Sequence, residues 1–329
     1  MKNESSDIHP ELQQFAKFFP NLTFSRKNLW LVNLLPRLLP APARPKGIRI
    51  QNVLIPGSED QKSIRLRIYR PTAMDGRTIP ALLWFHGGGY VSGRPEQDEQ
   101  RCMQYALELN ITVVSVDYRL APKNPFPAAL EDGYTALKWA AAHTSIDNQR
   151  IAIGGASAGA GLAAALIHLA HDRREIQPIF QLLVYPMLDD RTVLRPDVDD
   201  SQNITWNQNS NRFGWESYLA KKCGQEDLPE YAVPARRENL AGLPAAWIGV
   251  GTLDLFYDED KTYAGRLQAA GVPCEFCEVP GGFHAFDVFL NQIPVVQGFR
   301  KSQIAALKKC FFADGIYFDA TNPAPAASR

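Results

Sequence analysis

The sequence lacks an excess of charge of either sign, since 35 lysines and arginines balance 35 aspartates and glutamates over 329 residues. A balanced chain directs no strong field at nucleic acid, an anionic membrane surface or a highly charged substrate. We therefore expect a neutral small molecule as the ligand and no nucleic-acid partner. With 45% apolar residues, the chain can bury a large core in one large α/β domain or two smaller ones.

Cysteine and long apolar runs are also scarce. Five scattered cysteines in a long chain favour a reducing compartment over a disulfide framework. Cys274 and Cys277 form a CxxC pattern, but residues three apart in a strand point to opposite faces, which argues against a zinc or redox pair. The first apolar run, Leu29 to Leu39, contains polar residues and a proline, so no signal peptide or membrane span is expected. We expect a cytoplasmic protein without integral membrane association.

From Gly47 onward, strand-like runs alternate with longer helical patterns, which predicts an α/β fold with a mostly parallel sheet and helices on both faces. The predicted strands are 48–55, 63–70, 81–85, 111–116, 150–154, 180–185, 245–250 and 274–279. The predicted helices are 98–109, 128–142, 158–171, 258–270 and 296–307. The strand at 63–70 alternates apolar residues with arginine, which is typical of a half-exposed antiparallel strand.

Two segments interrupt this alternation. Residues 1–45 carry aromatic and leucine residues at helical spacing before the first strand, and residues 187–243 form a long polar and aromatic insertion. We expect both to pack together as a cap over the carboxyl ends of the strands. The catalytic core would then comprise residues 46–186 and 244–315, and residues 316–329 would form a frayed tail.

A serine stands at a strand-to-helix junction in the segment Arg150-Ile-Ala-Ile-Gly-Gly-Ala-Ser-Ala-Gly159. The pattern G-x-S-x-G in this context exposes the Ser157 hydroxyl above the sheet, while Gly155 and Gly159 let strand and helix approach closely. The start of the following helix also favours negative charge. These features predict that Ser157 is a nucleophile.

The same stretch also fits a dinucleotide-binding fingerprint, because Gly159-Ala-Gly-Leu-Ala-Ala164 matches G-x-G-x-x-A. That motif needs an acidic residue about 20 positions later to bind a ribose. Gln181 stands there instead, inside a strand. Small residues that pack a helix against a sheet explain the pattern without a cofactor. The dinucleotide hypothesis stays open as the weaker alternative, and we expect neither a metal nor an organic cofactor.

Three consecutive glycines follow a buried strand in Phe85-His-Gly-Gly-Gly-Tyr90. A plain turn needs only one or two glycines, whereas successive glycines free backbone N–H groups to converge on an oxyanion. The N–H groups of Gly88, Gly89 and Ala158 are the predicted donors. His86 is expected to brace this loop rather than to transfer protons.

These motifs resemble the hormone-sensitive-lipase-like family of α/β-hydrolases, in particular its bacterial esterases. His86–Gly89 matches the family's oxyanion motif, and Val116–Pro122 with Pro125–Leu130 matches the segment after the next strand. The serine motif follows in the family's order, and the resemblance extends over about residues 60–290. It implies the α/β-hydrolase fold and activity on esters of short to medium acyl chains.

The remaining members of a catalytic triad follow the serine in this fold, first the acid and then the histidine. Asp254 comes just after one predicted strand and His284 just after the next, so both are expected beside Ser157 at the carboxyl edge of the sheet. Asp258 is a competing acid, but it belongs to the acidic run Tyr257–Asp260, which helix capping and the helix dipole explain.

Two further histidines, His168 and His171, lie three apart on one helix. Without other ligands nearby they are expected on a solvated face rather than at a metal. Three positions differ from the family's usual forms, namely Ala156 in place of an acid, Leu255-Phe256 in place of Pro-Leu, and Ala285 in place of glycine. Since the reacting side chains are retained, these differences are expected to affect substrate preference more than activity.

The sequence therefore predicts a monomeric or homodimeric carboxylesterase that acts on a small-molecule ester through a serine acyl-enzyme. Apolar residues of the cap and its surroundings are predicted to line an acyl pocket, with Tyr90, Tyr185, Met187, Trp206, Phe213 and Trp215 as candidates. Two alternatives stay open. The same triad could cleave amides or lactones, or the fold could serve as a binding-only receptor, as in the plant gibberellin receptors that resemble this family but lack the histidine.

Overall fold

Short apolar runs of the chain form one eight-stranded sheet in a computed structural model, which describes residues 7–17, 23–38, 43–57, 63–196, 203–288 and 290–312. The strands follow the order β1-β2-β4-β3-β5-β6-β7-β8 across the sheet. Their bounds are β1 Ile48–Ile55, β2 Ile64–Pro71, β3 Ile79–Phe85, β4 Thr112–Asp117, β5 Ile146–Ala156, β6 Phe180–Val184, β7 Ala245–Gly251 and β8 Cys274–Val279. Strand β2 pairs antiparallel with β1 and β4, and the strands from β4 to β8 across the sheet pair parallel.

Helices cover both faces of this sheet, as the α/β alternation predicts. Helices α3 and α8 pack on one face, and α4, α5 and α7 pack on the other. The helices are α1 Pro10–Ala16, α2 Leu29–Leu38, α3 Glu99–Leu109, α4 Ala128–Ala142, α5 Ala158–Arg173, α6 Gln208–Leu219, α7 Tyr257–Ala269 and α8 Pro294–Phe311. Alternate residues of β3 enter opposite cores, since Leu83 lies with α5 and Leu82 with α3. Cys274 and Cys277 likewise join opposite faces, as predicted.

The parallel register aligns the carboxyl ends of five neighbouring strands, β3, β5, β6, β7 and β8. Phe85 pairs with Gly155, Ala156 pairs with Val184, and Gly251 pairs with Val279. The glycine loop, the serine turn and the segments that carry Asp254 and His284 each begin at one of these strand ends. The topology therefore brings the predicted motifs to one edge of the sheet, where ligands bind in open α/β folds.

The half-exposed character predicted for β2 is wrong. Arg67 and Arg70 are buried there, with relative exposures of 6% and 9%. Arg67 donates to Glu99 on α3 at 2.8 Å, and Arg70 donates to Thr112 at 2.7 Å and to nearby carbonyls. Helix α3 covers the face of the strand on which Arg67 lies, whereas Arg70, three residues later, lies on the opposite face. Ion pairing and hydrogen bonding compensate the two arginines for the loss of water.

The described parts of the two predicted cap segments contact each other. Phe24 packs edge-on against Trp206 with ring centroids 5.2 Å apart, and its N–H donates to Ser210 at 2.9 Å. The predicted tail, residues 316–329, lies outside the described residues. In the described part of the chain, no helix combines the length and the apolar character that a bilayer crossing requires.

Candidate active site

Three distant side chains meet at the carboxyl edge of the sheet. His284 Nε2 lies 3.0 Å from Ser157 Oγ, and His284 Nδ1 lies 2.8 Å from Asp254 Oδ2. All three residues are buried, and the second Asp254 oxygen accepts the Phe256 N–H at 2.9 Å. This is the geometry in which an imidazole removes a hydroxyl proton while a carboxylate holds its tautomer.

The serine sits on a strained backbone. Ser157 adopts φ 55° and ψ −123°, a conformation that L-residues rarely take. The turn is held by the Ser157 N–H, which donates to Val184 O at 2.9 Å. It also requires glycine at position 155, because a Cβ there would lie 2.4 Å from Gly159 O. Gly159 packs against the Phe85 and His86 carbonyls, so close helix-to-sheet packing accounts for the glycine pattern that resembles a dinucleotide fingerprint.

The glycine loop faces this turn. Gly88 adopts φ 122°, and a Cβ on it would lie 2.1 Å from Ser92 O, so that only glycine fits. Within the described ranges, the N–H groups of Gly88, Gly89 and Ala158 contact no hydrogen-bond acceptor. Free N–H groups beside a nucleophile are suited to receive a developing negative charge.

His86 contacts the glycine loop and a neighbouring tyrosine, as expected for a residue that braces the loop. Its ring stacks on Tyr118 with centroids 4.3 Å apart, and its Nδ1 lies 2.8 Å from Gly87 O. The Tyr118 hydroxyl donates to the His86 carbonyl at 2.7 Å. Burial lowers the pKa of His86, so its ring is neutral and braces the loop without charge.

Aromatic rings surround the His284 imidazole. Tyr185 and Phe256 approach it edge-on, with centroids 4.9 Å and 5.1 Å away, and Trp206 lies 6.3 Å away. Thr205 donates to the His284 carbonyl at 2.6 Å. Sequence reasoning did not assign Phe256 or Thr205 to the site. Phe256 stands at one of the departures from the family pattern, and its proximity to Asp254 was the signal available.

The other candidate pocket residues belong to the hydrophobic core that packs against α5. Met187 and Trp206 flank Gly214, since a Cβ on that glycine would lie 3.5 Å from a side-chain carbon of each. Tyr90 and Trp215 are buried and contact each other with ring centroids 5.5 Å apart. Phe213 is half-buried at the margin of the same core.

The structure also locates the competing acid Asp258 and the helix histidine His168. Asp258, the competing acid, is an exposed residue whose carboxylate pairs with Arg195 at 2.6 Å. The solvated position predicted for His168 is wrong, because its exposure is 1% and its Nε2 lies 2.8 Å from the Tyr263 hydroxyl. Burial lowers the pKa of His168 to about 3, which keeps the ring neutral in this core.

Helix capping does not account for the whole acidic run, because Asp260 is completely buried. Neither of its carboxyl oxygens has a hydrogen-bond donor among the described residues. Burial raises the pKa of Asp260 well above its usual range, and the nearby Glu259 and Asp254 carboxylates raise it further. The folded protein therefore holds a proton there that the unfolded chain releases.

We expect Asp260→Ala to stabilise the protein, and increasingly so as pH rises. Above about pH 4 the unfolded chain ionises at this position while the folded state resists, so the wild type loses stability with rising pH. At alkaline pH the variant should gain about 1–3 kcal/mol, the cost of an unsatisfied buried group. Thermal unfolding at several pH values measures the difference. The exposed Asp258→Ala is the control, and a gain independent of pH would contradict the expectation.

Comparison with known proteins places this geometry in a family. A profile of the α/β-hydrolase fold matches residues 82–288. Esterase LipI of Mycobacterium tuberculosis is 34% identical over 279 residues, covering 83% of this chain and 85% of that protein. Carboxylesterase NlhH of the same organism is 31% identical, covering 93% and 97%. Among solved structures, a bacterial heroin esterase superposes with a TM-score of 0.82 at 31% identity, covering 93% of this chain and 98% of that one. The chain therefore belongs to the hormone-sensitive-lipase-like family of α/β-hydrolases, the carboxylesterase family that its motifs resemble.

Proposed function

We propose that the protein is a carboxylesterase that hydrolyses small-molecule esters of short to medium acyl chains through an acyl-enzyme on Ser157. The observation that carries this proposal is the continuous hydrogen-bonded series from Ser157 Oγ through His284 to Asp254, beside free backbone N–H groups. The relatives LipI and NlhH are named as esterases, which supports the same class of reaction. All five cysteines are free, which supports the proposed cytoplasmic location.

In the first step, Ser157 Oγ attacks the ester carbonyl carbon while His284 Nε2 accepts the hydroxyl proton. The bond from that carbon to the alkoxy oxygen then breaks, and the protonated imidazole gives its proton to the departing alcohol. In the second step, a water molecule attacks the acyl-enzyme and passes a proton to His284. The bond from the acyl carbon to Ser157 Oγ then breaks, the imidazolium returns its proton to Oγ, and the carboxylic acid is released.

Charge develops on the carbonyl oxygen in both steps. We assign its stabilisation to the N–H groups of Gly88, Gly89 and Ala158, of which the first two follow β3 and the third begins α5. Each such donor is worth about 3–4 kcal/mol in comparable enzymes. Asp254 stabilises the imidazolium without taking its proton. These steps use only groups of this chain.

Trp206 is the side chain that supports a limit on acyl length. It is buried, and a Cβ on Gly89 would lie 2.1 Å from its ring, so the indole covers the proposed oxyanion loop. The same ring lies beside His284. An acyl chain that extends from the reacting carbonyl towards Trp206 must pass the indole. The indole therefore restricts the room for long acyl groups.

We expect the wild type to prefer p-nitrophenyl esters of short and medium chains, and Trp206→Ala to shift this preference towards longer ones. The ratio of kcat/KM for decanoate over that for butyrate should rise by at least about 10-fold, because space for several methylenes opens. Steady-state kinetics across the ester series measures this ratio. Trp139→Ala on α4, whose indole packs on His143, is the control. A wild-type rate that rises steadily to emulsified long-chain fats would contradict the proposed substrate range.

A further inference from the structure

A buried charge cluster formed by Asp287, Arg101, Arg300 and Tyr185 contacts the loop that carries His284. Asp287, three residues after the histidine, accepts from Arg101 Nη2 on α3 at 2.8 Å and from the Tyr185 hydroxyl at 2.8 Å. Arg300 on α8 donates to the Asp287 carbonyl at 2.7 Å, and its Nε lies 3.5 Å from the carboxylate. The loop is thereby tied to α3 and α8, two helices that pack on the same face of the sheet.

The four groups of this cluster are almost completely removed from water. Asp287 has 0% relative exposure, Tyr185 1%, Arg101 2% and Arg300 6%. Burial alone would raise the pKa of Asp287, but the Arg101 and Arg300 charges hold it below its usual range, so the carboxylate is ionised. Burial raises the pKa of Tyr185 well above its usual range, so the phenol keeps the proton that it donates.

Burying such charges costs desolvation free energy that apolar side chains in the same core would not. A buried ion pair of this kind contributes little net stability compared with well-packed apolar side chains, although breaking it by removing one partner is strongly destabilising. Unlike apolar contacts, the hydrogen bonds of this cluster are directional, so each one fixes the position of the group that it binds.

Tyr185 connects the cluster to the imidazole. Its hydroxyl binds Asp287, while its ring edge contacts His284 at a centroid distance of 4.9 Å. The backbone around this contact is strained at two places, since Tyr185 has φ 37° and Ala285 has φ 58°. Backbone held in strained conformations needs external ties to keep one geometry, and the cluster supplies them at Asp287, three residues after His284, and at Tyr185.

We propose that Arg101, Asp287 and Tyr185 are positioning residues for the proposed reaction, which hold the His284 imidazole in line between Ser157 and Asp254. The inference rests on the proposed esterase function. The hydroxyl of Tyr185 is assigned to this tie, in addition to any contact of its ring with substrate. None of the three residues touches the reacting atoms in this assignment, so their effect is on the orientation of the base.

The first test is Tyr185→Phe, which keeps the ring and all buried charges but removes two hydrogen bonds, the one that the hydroxyl donates to Asp287 at 2.8 Å and the one that it accepts from Arg101 Nη2 at 3.2 Å. We expect kcat to fall by about 10-fold with KM for p-nitrophenyl butyrate nearly unchanged, because a small displacement of a catalytic group lowers the rate without weakening binding. The labelling rate by a fluorophosphonate, which reports activation of the serine, should fall by the same factor.

The second test is a double-mutant cycle with Asp287→Asn. If both residues act through one tie, the double variant should lose no more than the poorer single variant. Glu99→Gln is the matched control, because it removes a buried charge that pairs with Arg67 on β2, a strand separated from β5 by two others. It should lower the melting temperature while leaving kcat and the labelling rate unchanged.

The outcomes separate the two proposals. A wild type that neither hydrolyses esters nor reacts with fluorophosphonate overturns the esterase function itself. An active wild type with Tyr185→Phe at full kcat overturns the positioning role alone. If Glu99→Gln reduces the labelling rate as much as Tyr185→Phe does, the effect is general destabilisation, and the positioning role is likewise overturned.

Discussion

Replacing Ser157 with alanine is expected to lower kcat for p-nitrophenyl butyrate by about 10³- to 10⁶-fold, leaving only the contribution of binding and the oxyanion donors. The hydroxyl is the nucleophile in the proposed mechanism, and without it no acyl-enzyme can form. The fold should persist, because the turn is held by the backbone hydrogen bond from residue 157 to Val184 and by glycine packing rather than by the hydroxyl. Circular dichroism and melting temperature check this point beside the kinetics.

Ser115→Ala is the matched control for that variant. Ser115 is a completely buried serine on β4, and its hydroxyl has no partner within the described part of the chain. Its removal should leave kcat within about twofold, since surrounding packing is hardly changed. A fluorophosphonate probe should label the wild type and Ser115→Ala but not Ser157→Ala. Equal turnover by Ser157→Ala and the wild type would show that Ser157 is not the nucleophile. A wild type that is inactive and unlabelled would favour the binding-only alternative.

The sheet and its functional edge were predictable from sequence for a simple reason. Buried parallel strands are continuous apolar runs, and in this chain the motifs follow them directly, as in Phe85 before the glycine loop and Ala156 before Ser157. Parallel order then places every such strand end on the same edge. Asp254 and His284 could be located by the same rule, although 30 residues separate them.

The parts that sequence could not predict depend on long-range partners of polar side chains. The alternation in β2 looks the same whether Arg67 faces water or a buried glutamate, and only packing of α3 decides between them. His168 is buried because Tyr263 approaches its ring from another helix. Asp287 carries no motif at all, and its connection to Arg101 spans 186 positions of sequence. Local patterns contain no record of such pairs.

The acid of the triad gives the second large expected effect. Asp254→Asn should lower kcat by about 10⁴-fold, because an amide can donate to His284 Nδ1 and thereby stabilise the tautomer whose Nε2 cannot accept the serine proton. Binding of substrate should change little, so the loss should appear in kcat rather than KM. Steady-state kinetics with p-nitrophenyl butyrate at several pH values measures both constants.

Asp258→Asn tests whether that loss is specific to the acid in contact with the histidine. The two aspartates are separated by four positions, but Asp254 is bonded to His284 at 2.8 Å, whereas Asp258 is exposed and pairs with Arg195. An exposed ion pair contributes at most about 1 kcal/mol, so this variant should keep its kcat and nearly all its stability. If Asp258→Asn were the inactive variant and Asp254→Asn the active one, the hydrogen bond to His284 would not be the one that orients the base. Because both substitutions remove one negative charge from the same segment, their difference isolates geometry from net charge.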